Sequence, residues 1–265
     1  MKKIIFTALF VLGLGLASTY AEPVSIDIDQ NPKTQGNYLT RKADPAVAKI
    51  SYVFDDVKIQ RKGKDALQEA VVNMPMYAGD TLLTLSNRSR AEIVFENGHI
   101  TRLSGLSKLI LEFSKTDPNN HAEVTLLNLI SGKVLIEVKK LVNHDEVKSQ
   151  FELKTPVAVT AVKGTHFMTT YLDGRSEVKV IEGVVVVSNK NGLGGTEVPA
   201  GMKTTVVSGA APIAATTLTS DDYKEVQKLQ TEIKKNKARS IYPDNDPNKK
   251  SLNIRFFNFG KSDNH

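Results

Sequence analysis

Ala91-Glu92-Ile93-Val94-Phe95-Glu96 alternates apolar and polar residues, and Asn97-Gly98 follows at once. Alternation with a period of two puts one set of side chains on a buried face and the other on the opposite face of a strand. Asn-Gly is the favoured dipeptide of a tight hairpin, because both residues tolerate positive φ. The reading therefore begins from a strand and a turn at 91–98. Similar segments recur downstream at 123–126, 133–138, 157–161, 166–171, 177–181 and 184–187, with Asp173-Gly174 as a further turn. Short strands at roughly ten-residue spacing predict an all-β sandwich or roll with solenoid-like stacked strands.

Two internal similarities support stacking. Arg90 to Gly98 resembles Arg175 to Gly183, and Leu129-Ile130-Ser131-Gly132-x-Val134-x-Ile136 resembles Val180-Ile181-Glu182-Gly183-x-Val185-x-Val187. The shared unit is a strand, a glycine that permits a corner, and a second strand.

Outward from this region the composition changes. Residues 1–21 read as a signal peptide: Met1-Lys2-Lys3, an apolar run from Ile4 to Leu16, and small residues leading to cleavage after Ala21. Residues 22–46 read as a leader or linker, with one short strand allowed at 24–28. Residues 47–207 form the β domain and 208–218 a second linker. An α-helix is predicted at 219–240, since Thr219-Ser220-Asp221-Asp222 supplies a cap and acids for the first turn, and Lys234, Lys235, Lys237 and Arg239 lie at the far end. Its stripe of Tyr223, Val226, Leu229 and Ile233 predicts docking on the domain. Residues 241–265 are a polar tail carrying the cluster Ile254-Arg255-Phe256-Phe257-Asn258-Phe259, which is expected to pack back onto the body.

Charge and composition exclude several function classes. The chain has 35 Lys+Arg against 29 Asp+Glu, and no cysteine. Two lysines belong to the signal and the stretch 219–265 carries ten basic and seven acidic residues, which leaves 23 against 22 on residues 22–218. A balanced body lacks the basic face that nucleic-acid binding needs. The absence of cysteine removes thiolate nucleophiles, Cys-ligated metals and a lipid-modified cysteine.

Catalytic and metal-binding patterns are missing as well. No serine sits in a Gly-x-Ser-x-Gly elbow. Gly192-Leu193-Gly194-Gly195 reads as a hairpin turn, because Glu197 stands where the third glycine of a dinucleotide fingerprint belongs. His99, His121, His144, His166 and His265 show no metal-binding spacing, and His166, at the start of a strand, is expected on the surface. Asp244, Asp246 and Asn248 copy the first three ligand spacings of a calcium loop, but Lys249 and Arg255 occupy its glycine and glutamate positions. Glu92, Glu96, Glu137 and Glu177 fall on the polar phase of their strands, expected to face solvent. The expectation is of no enzyme, no cofactor, no metal site and no catalytic residue, with the binding residues left unknown.

Taken in order, these segments resemble the FecR domain family. The resemblance rests on Ala78-Gly79-Asp80-Thr81-Leu82-Leu83-Thr84, on Ser89 to Gly98 with Leu103 to Leu109, and on Leu129 to Val134. Its most specific stretch is Phe151-Glu152-Leu153-Lys154-Thr155-Pro156 through Val162-Lys163-Gly164-Thr165-His166-Phe167, with Lys163 where the family usually has Arg. Val180 to Val186 and Pro199-Ala200-Gly201-Met202 complete a match over about Lys49 to Val207. The motif glycines, Asp80 and Thr155-Pro156 read as architecture: corners, a capped turn and a stiffened strand start. The resemblance implies a periplasmic β domain. In the family's transmembrane regulators that domain senses a TonB-dependent receptor, while a cytoplasmic segment controls a sigma factor. This sequence shows a cleavable signal in place of that segment, so sigma-factor control does not carry over. The resulting expectation is an exported, periplasmic or secreted envelope protein that binds or scaffolds another envelope protein. A wall or glycan binder and a periplasmic ligand sensor are the alternatives.

Overall fold

The computed structural model describes residues 45–117, 122–141, 149–162 and 164–241. The signal peptide, nearly all of the leader, the aromatic tail, His121, His144, His265 and the Asp244–Asn248 loop lie outside the described residues.

The chain builds strands from its first described residues. In chain order they are β1 (Ala48–Phe54), β2 (Val57–Gln60), β3 (Leu67–Glu69), β4 (Pro75–Met76), β5 (Thr81–Thr84), β6 (Arg90–Phe95), β7 (Ile100–Leu103), β8 (Ser107–Thr116) and β9 (Glu123–Glu137). They continue as β10 (Gln150–Lys154), β11 (Ala158–Val162), β12 (His166–Leu172), β13 (Arg175–Glu182), β14 (Val184–Asn189), β15 (Thr196–Pro199), β16 (Met202–Val207) and β17 (Thr216–Thr217), before α1 (Ser220–Ile241). The class is all-β with one C-terminal helix, as the alternation predicts.

The pairings resolve into two faces of a sandwich joined through one strand. Sheet I runs β4-β1-β6-β7-β9-β12-β13-β16-β17, antiparallel throughout. Sheet II runs β3-β2-β5-β8-β9-β10-β11-β14-β15, antiparallel except for the parallel pair β9–β10. Neither sheet closes into a barrel. The sequence reading divides 123–138 into two strands. The structure makes them one long strand that pairs in sheet II up to Ser131 and in sheet I from Gly132.

Gly132 makes that change of sheet possible. Its φ is 91°, and a Cβ there would lie 2.5 Å from Ser107 Cα and 2.6 Å from the Leu106 carbonyl oxygen. Ser107 Oγ locks the corner by accepting the Lys133 N–H at 2.9 Å. Gly183, its counterpart in the second repeat, carries the chain from β13 in sheet I to β14 in sheet II with φ of 79°. That repeat is structural. The other is not: Gly98 sits in the β6–β7 hairpin, within sheet I, where Asn97-Gly98 reverses the chain in the plane of the sheet.

Between the sheets lies a single apolar cluster. Ile93, Leu103, Val134, Ile136, Phe167, Val178 and Val180 come from sheet I, and Ile59, Leu82, Leu109, Leu111, Leu127, Leu129, Phe151, Leu153, Val185 and Val187 from sheet II. Each is buried and each alternates with an outward neighbour, the pattern that removes most apolar area from water in a sandwich. The motif polar groups serve this frame. Asp80 is buried, accepts the N–H groups of Tyr77 (2.9 Å) and Lys62 (3.3 Å), and pairs with Arg61 at 2.6 Å. Thr155 Oγ1 accepts the Ala158 N–H at 2.9 Å in the β10–β11 turn. Among the described residues no helix is long and apolar enough to cross a membrane.

Candidate functional site

Two outward faces differ in what covers them. α1 lies on the outer face of sheet I. It starts with a reciprocal cap: the Asp222 N–H donates to Thr219 Oγ1 (3.3 Å), and Asp222 Oδ2 accepts the Thr219 N–H at 2.8 Å. Val226, Leu229 and Ile233 then recur at helical spacing and are buried against Tyr52 of β1, Leu135 of β9 and Met168 of β12. Tyr223, counted with that stripe in the sequence, is 39% exposed, its hydroxyl beside Gly201 rather than over the apolar seam.

Charges flank the seam in a sorted order. Under the first turns of α1, Lys203 and Lys179 each reach Asp222 at 2.8 Å, Lys179 reaches Glu225 at 2.6 Å, and Lys133 also pairs with Glu225. Farther along, Gln230 donates to Glu137 at 3.2 Å, and Arg90 grips Glu232 through Nε (3.0 Å) and Nη2 (2.9 Å). At the last turns Lys237 pairs with Glu92. Acids over lysines at the helix start and a lysine over an acid at its end both suit the helix dipole.

Glu92 corrects the sequence reading. It is 3% exposed. Its Oε2 accepts from Arg102 Nε at 2.8 Å, and its Oε1 accepts from Ser51 Oγ at 2.6 Å. The polar phase of β6 does point away from the core, but α1 covers it. Burial pushes the Glu92 carboxyl up, and the hydrogen bonds from Lys237 and Ser51 with the Arg102 charge outweigh that and hold it below the usual range. His166 is a second correction: its side chain is 13% exposed, under the same helix, 3.7 Å from Glu137. Burial lowers its pKa against the pull of Glu137 and Glu182, with Arg102 and Lys234 adding to the lowering. Glu137 and Glu177 are half-buried in the ionic seam, and only Glu96 faces solvent. Asp222 and Glu225 are pushed up by burial and pulled further down by their lysines, so both stay charged.

His99 is buried elsewhere. Its Nδ1 accepts the Lys139 N–H at 3.2 Å, its Nε2 lies 3.0 Å from Glu123, and its ring meets Phe151 edge-on. Burial and the Lys139 charge push it down to about 4, so it is a neutral packing residue. Gly192–Gly195 lies in the turn between β14 and β15. Among the described residues no three His, Asp or Glu side chains gather where a metal ion could be held.

Among the described residues no helix lies on the outer face of sheet II. Phe113, Val184 and Val186 are 39%, 47% and 42% exposed there, with Leu83, Ile110, Leu126, Ile130 and Val159 half-buried around them. A stripe of Glu112, Glu152 and Lys154 crosses it. Among the described residues β15 pairs with β14 alone, so its other edge carries no described strand beside Val184 and Val186. The sequence hides this surface, since Val184 to Val187 reads equally well as a strand buried on both faces.

The family model described as FecR protein matches residues 80–186. The match makes this stretch FecR-like. It runs from Asp80 at the start of β5 to Val186 in β14, and so includes the strand shared by both sheets. Two crystal structures described as an anti-sigma factor from Parabacteroides distasonis ATCC 8503, at 2.50 and 1.65 Å, are similar to the chain at 15% identity and TM-score 0.41. Each alignment covers 54% of this chain and 62% of that one, so the chain spans less than two thirds of their length. No curated protein matches the sequence significantly.

Proposed function

We propose that this protein is an exported, non-catalytic regulatory module of the cell envelope, carried there by residues 1–21 and acting by binding another envelope protein. The supporting observation is the apolar face of sheet II that no described residue covers, beside an edge strand with no further described partner. Exposed aliphatic and aromatic side chains gathered on one face mark protein-binding surfaces. An edge with unpaired backbone groups accepts an extended segment of a partner, while Val184 and Val186 supply side-chain contacts. The FecR-like stretch adds a regulatory, signalling-related family context to the same strands.

The test is site-specific photocrosslinking in intact cells with the probe at position 186. The expected result is one defined protein adduct that Val184→Asp abolishes while the folded yield is unchanged. Adducts scattered over many proteins, or a single adduct indifferent to Val184→Asp, would sink the reading.

A further inference from the structure

We infer that the outer face of sheet I is a helix-docking site, occupied in cis by α1 and open in trans to an acidic-headed amphipathic helix of a partner protein. The inference rests on the protein-binding reading above and names a second surface and the chemistry of its partner.

The floor of this groove is paired without α1. Arg102 bridges Glu92 (2.8 Å) and Glu137, Ser51 donates to Glu92, and Lys179 reaches Glu177 at 3.0 Å, all within sheet I. Removing the helix therefore leaves Glu92, Glu137, Glu177, Arg102 and Lys179 each with a partner on the sheet, while Lys133 and Arg90 lose the acids of α1. Lys203 keeps Glu177 at 3.7 Å, Arg90 keeps the Asn87 and Ser89 carbonyls at 2.8 Å, and the Lys133 ammonium passes to water, where lysines are at home. On the helix side, among the described side chains, Val226, Leu229 and Ile233 give up buried apolar contact. The surface left behind is an apolar strip formed by Tyr52, Leu135 and Met168. Lys133, Lys179 and Lys203 flank one end and Glu92 the other.

Such a strip selects a helix by pattern. Following Asp222, Glu225, Val226, Leu229, Ile233 and Lys237, the helix carries acids at i and i+3, aliphatics at i+4, i+7 and i+11, and a lysine at i+15. A helix laid the other way would place lysine on lysine. Charge order fixes direction, and the aliphatics supply affinity.

The probe is a fluorescent synthetic peptide of residues 219–241, added to the full mature chain and read by anisotropy. Leu229→Asp in cis loosens the resident helix, so the peptide is expected to bind that variant at least tenfold more tightly than the wild type. Binding should weaken several-fold between 50 and 500 mM NaCl, and a peptide with Asp222→Lys and Glu225→Lys should not bind. If Leu229→Asp fails to fold, Ile233→Ala gives the milder opening. No binding to a variant that keeps its strand circular dichroism and unfolding transition overturns the inference, as does equal binding of the charge-reversed peptide. Peptide failure with the position-186 adduct intact removes the groove alone; adduct loss with peptide binding intact removes the open-sheet partner alone.

Discussion

Leu229→Ala separates α1 from the sandwich energetically. Leu229 is 4% exposed and packs on the Tyr52, Leu135 and Met168 strip. The substitution removes three carbons, about 0.8 kcal/mol each in transfer free energy, which gives about 2–3 kcal/mol with little cavity term where a surface helix can settle. Among its described side chains α1 contributes three to the apolar seam, Val226, Leu229 and Ile233, worth roughly 1.5–3 kcal/mol apiece before the helix is ordered. A loss of this size is therefore a large part of what holds α1 down, and a small part of what holds the sandwich. Native-state hydrogen exchange reads the two separately. At 1.4 kcal/mol per tenfold, amides of α1 should exchange roughly 30- to 140-fold faster in the variant. Amides of the β9 and β12 segments that face the main core should keep their protection. If the α1 and β9 amides lose protection by the same factor, helix and sandwich unfold as one unit and the separation is wrong. If α1 exchange does not change, the buried position of Leu229 contributes nothing and the docking itself is refuted.

Two further outcomes follow from particular positions. Gly132→Ala places a methyl group against the Ser107 backbone at a φ of 91°, so chemical denaturation should show a loss above about 2 kcal/mol, whereas Gly63→Ala, at φ of 69° with nothing within 4 Å, should lose only about 1–2 kcal/mol. His99 makes stability fall in acid. Its pKa is near 6.5 unfolded and about 4 folded, so between those pH values the unfolded chain binds a proton that the native state refuses. Stability should drop by about 3 kcal/mol from pH 7 to pH 4 on this account and level off below, and the His99 imidazole NMR signal should not titrate above pH 5.

The strands were largely legible because alternation is a local signal. Asn97-Gly98 and Asp173-Gly174 mark hairpins, and both occur where the chain reverses. The Gly132 and Gly183 similarity marks two corners, since the same backbone demand recurs wherever a strand changes sheet. The Gly98 comparison misleads because glycine with positive φ serves an in-plane reversal as well as a corner, and composition cannot tell the two apart. Strands as short as β3, β4 and β17, of three, two and two residues, hold too few residues to display any period.

Glu92 and His166 show a deeper limit, and the reason is physical. Alternation reports which side chains leave the core; it does not report what lies above them. A polar residue on the outward phase faces either water or an element that brings the opposite charge, and the two write the same strand sequence. The discriminating information sits 145 residues away, where Lys237 stands four residues beyond Ile233 and so meets Glu92 just past the apolar strip. Read beside the sheet, the order of acids, aliphatics and lysine along α1 mirrors the order of lysines, apolar strip and acid beneath it. That reciprocity was written in the two segments all along, and only the strand order of sheet I, which sets Lys203, Lys179, Lys133, Arg102 and Glu92 in succession across the face, makes it visible.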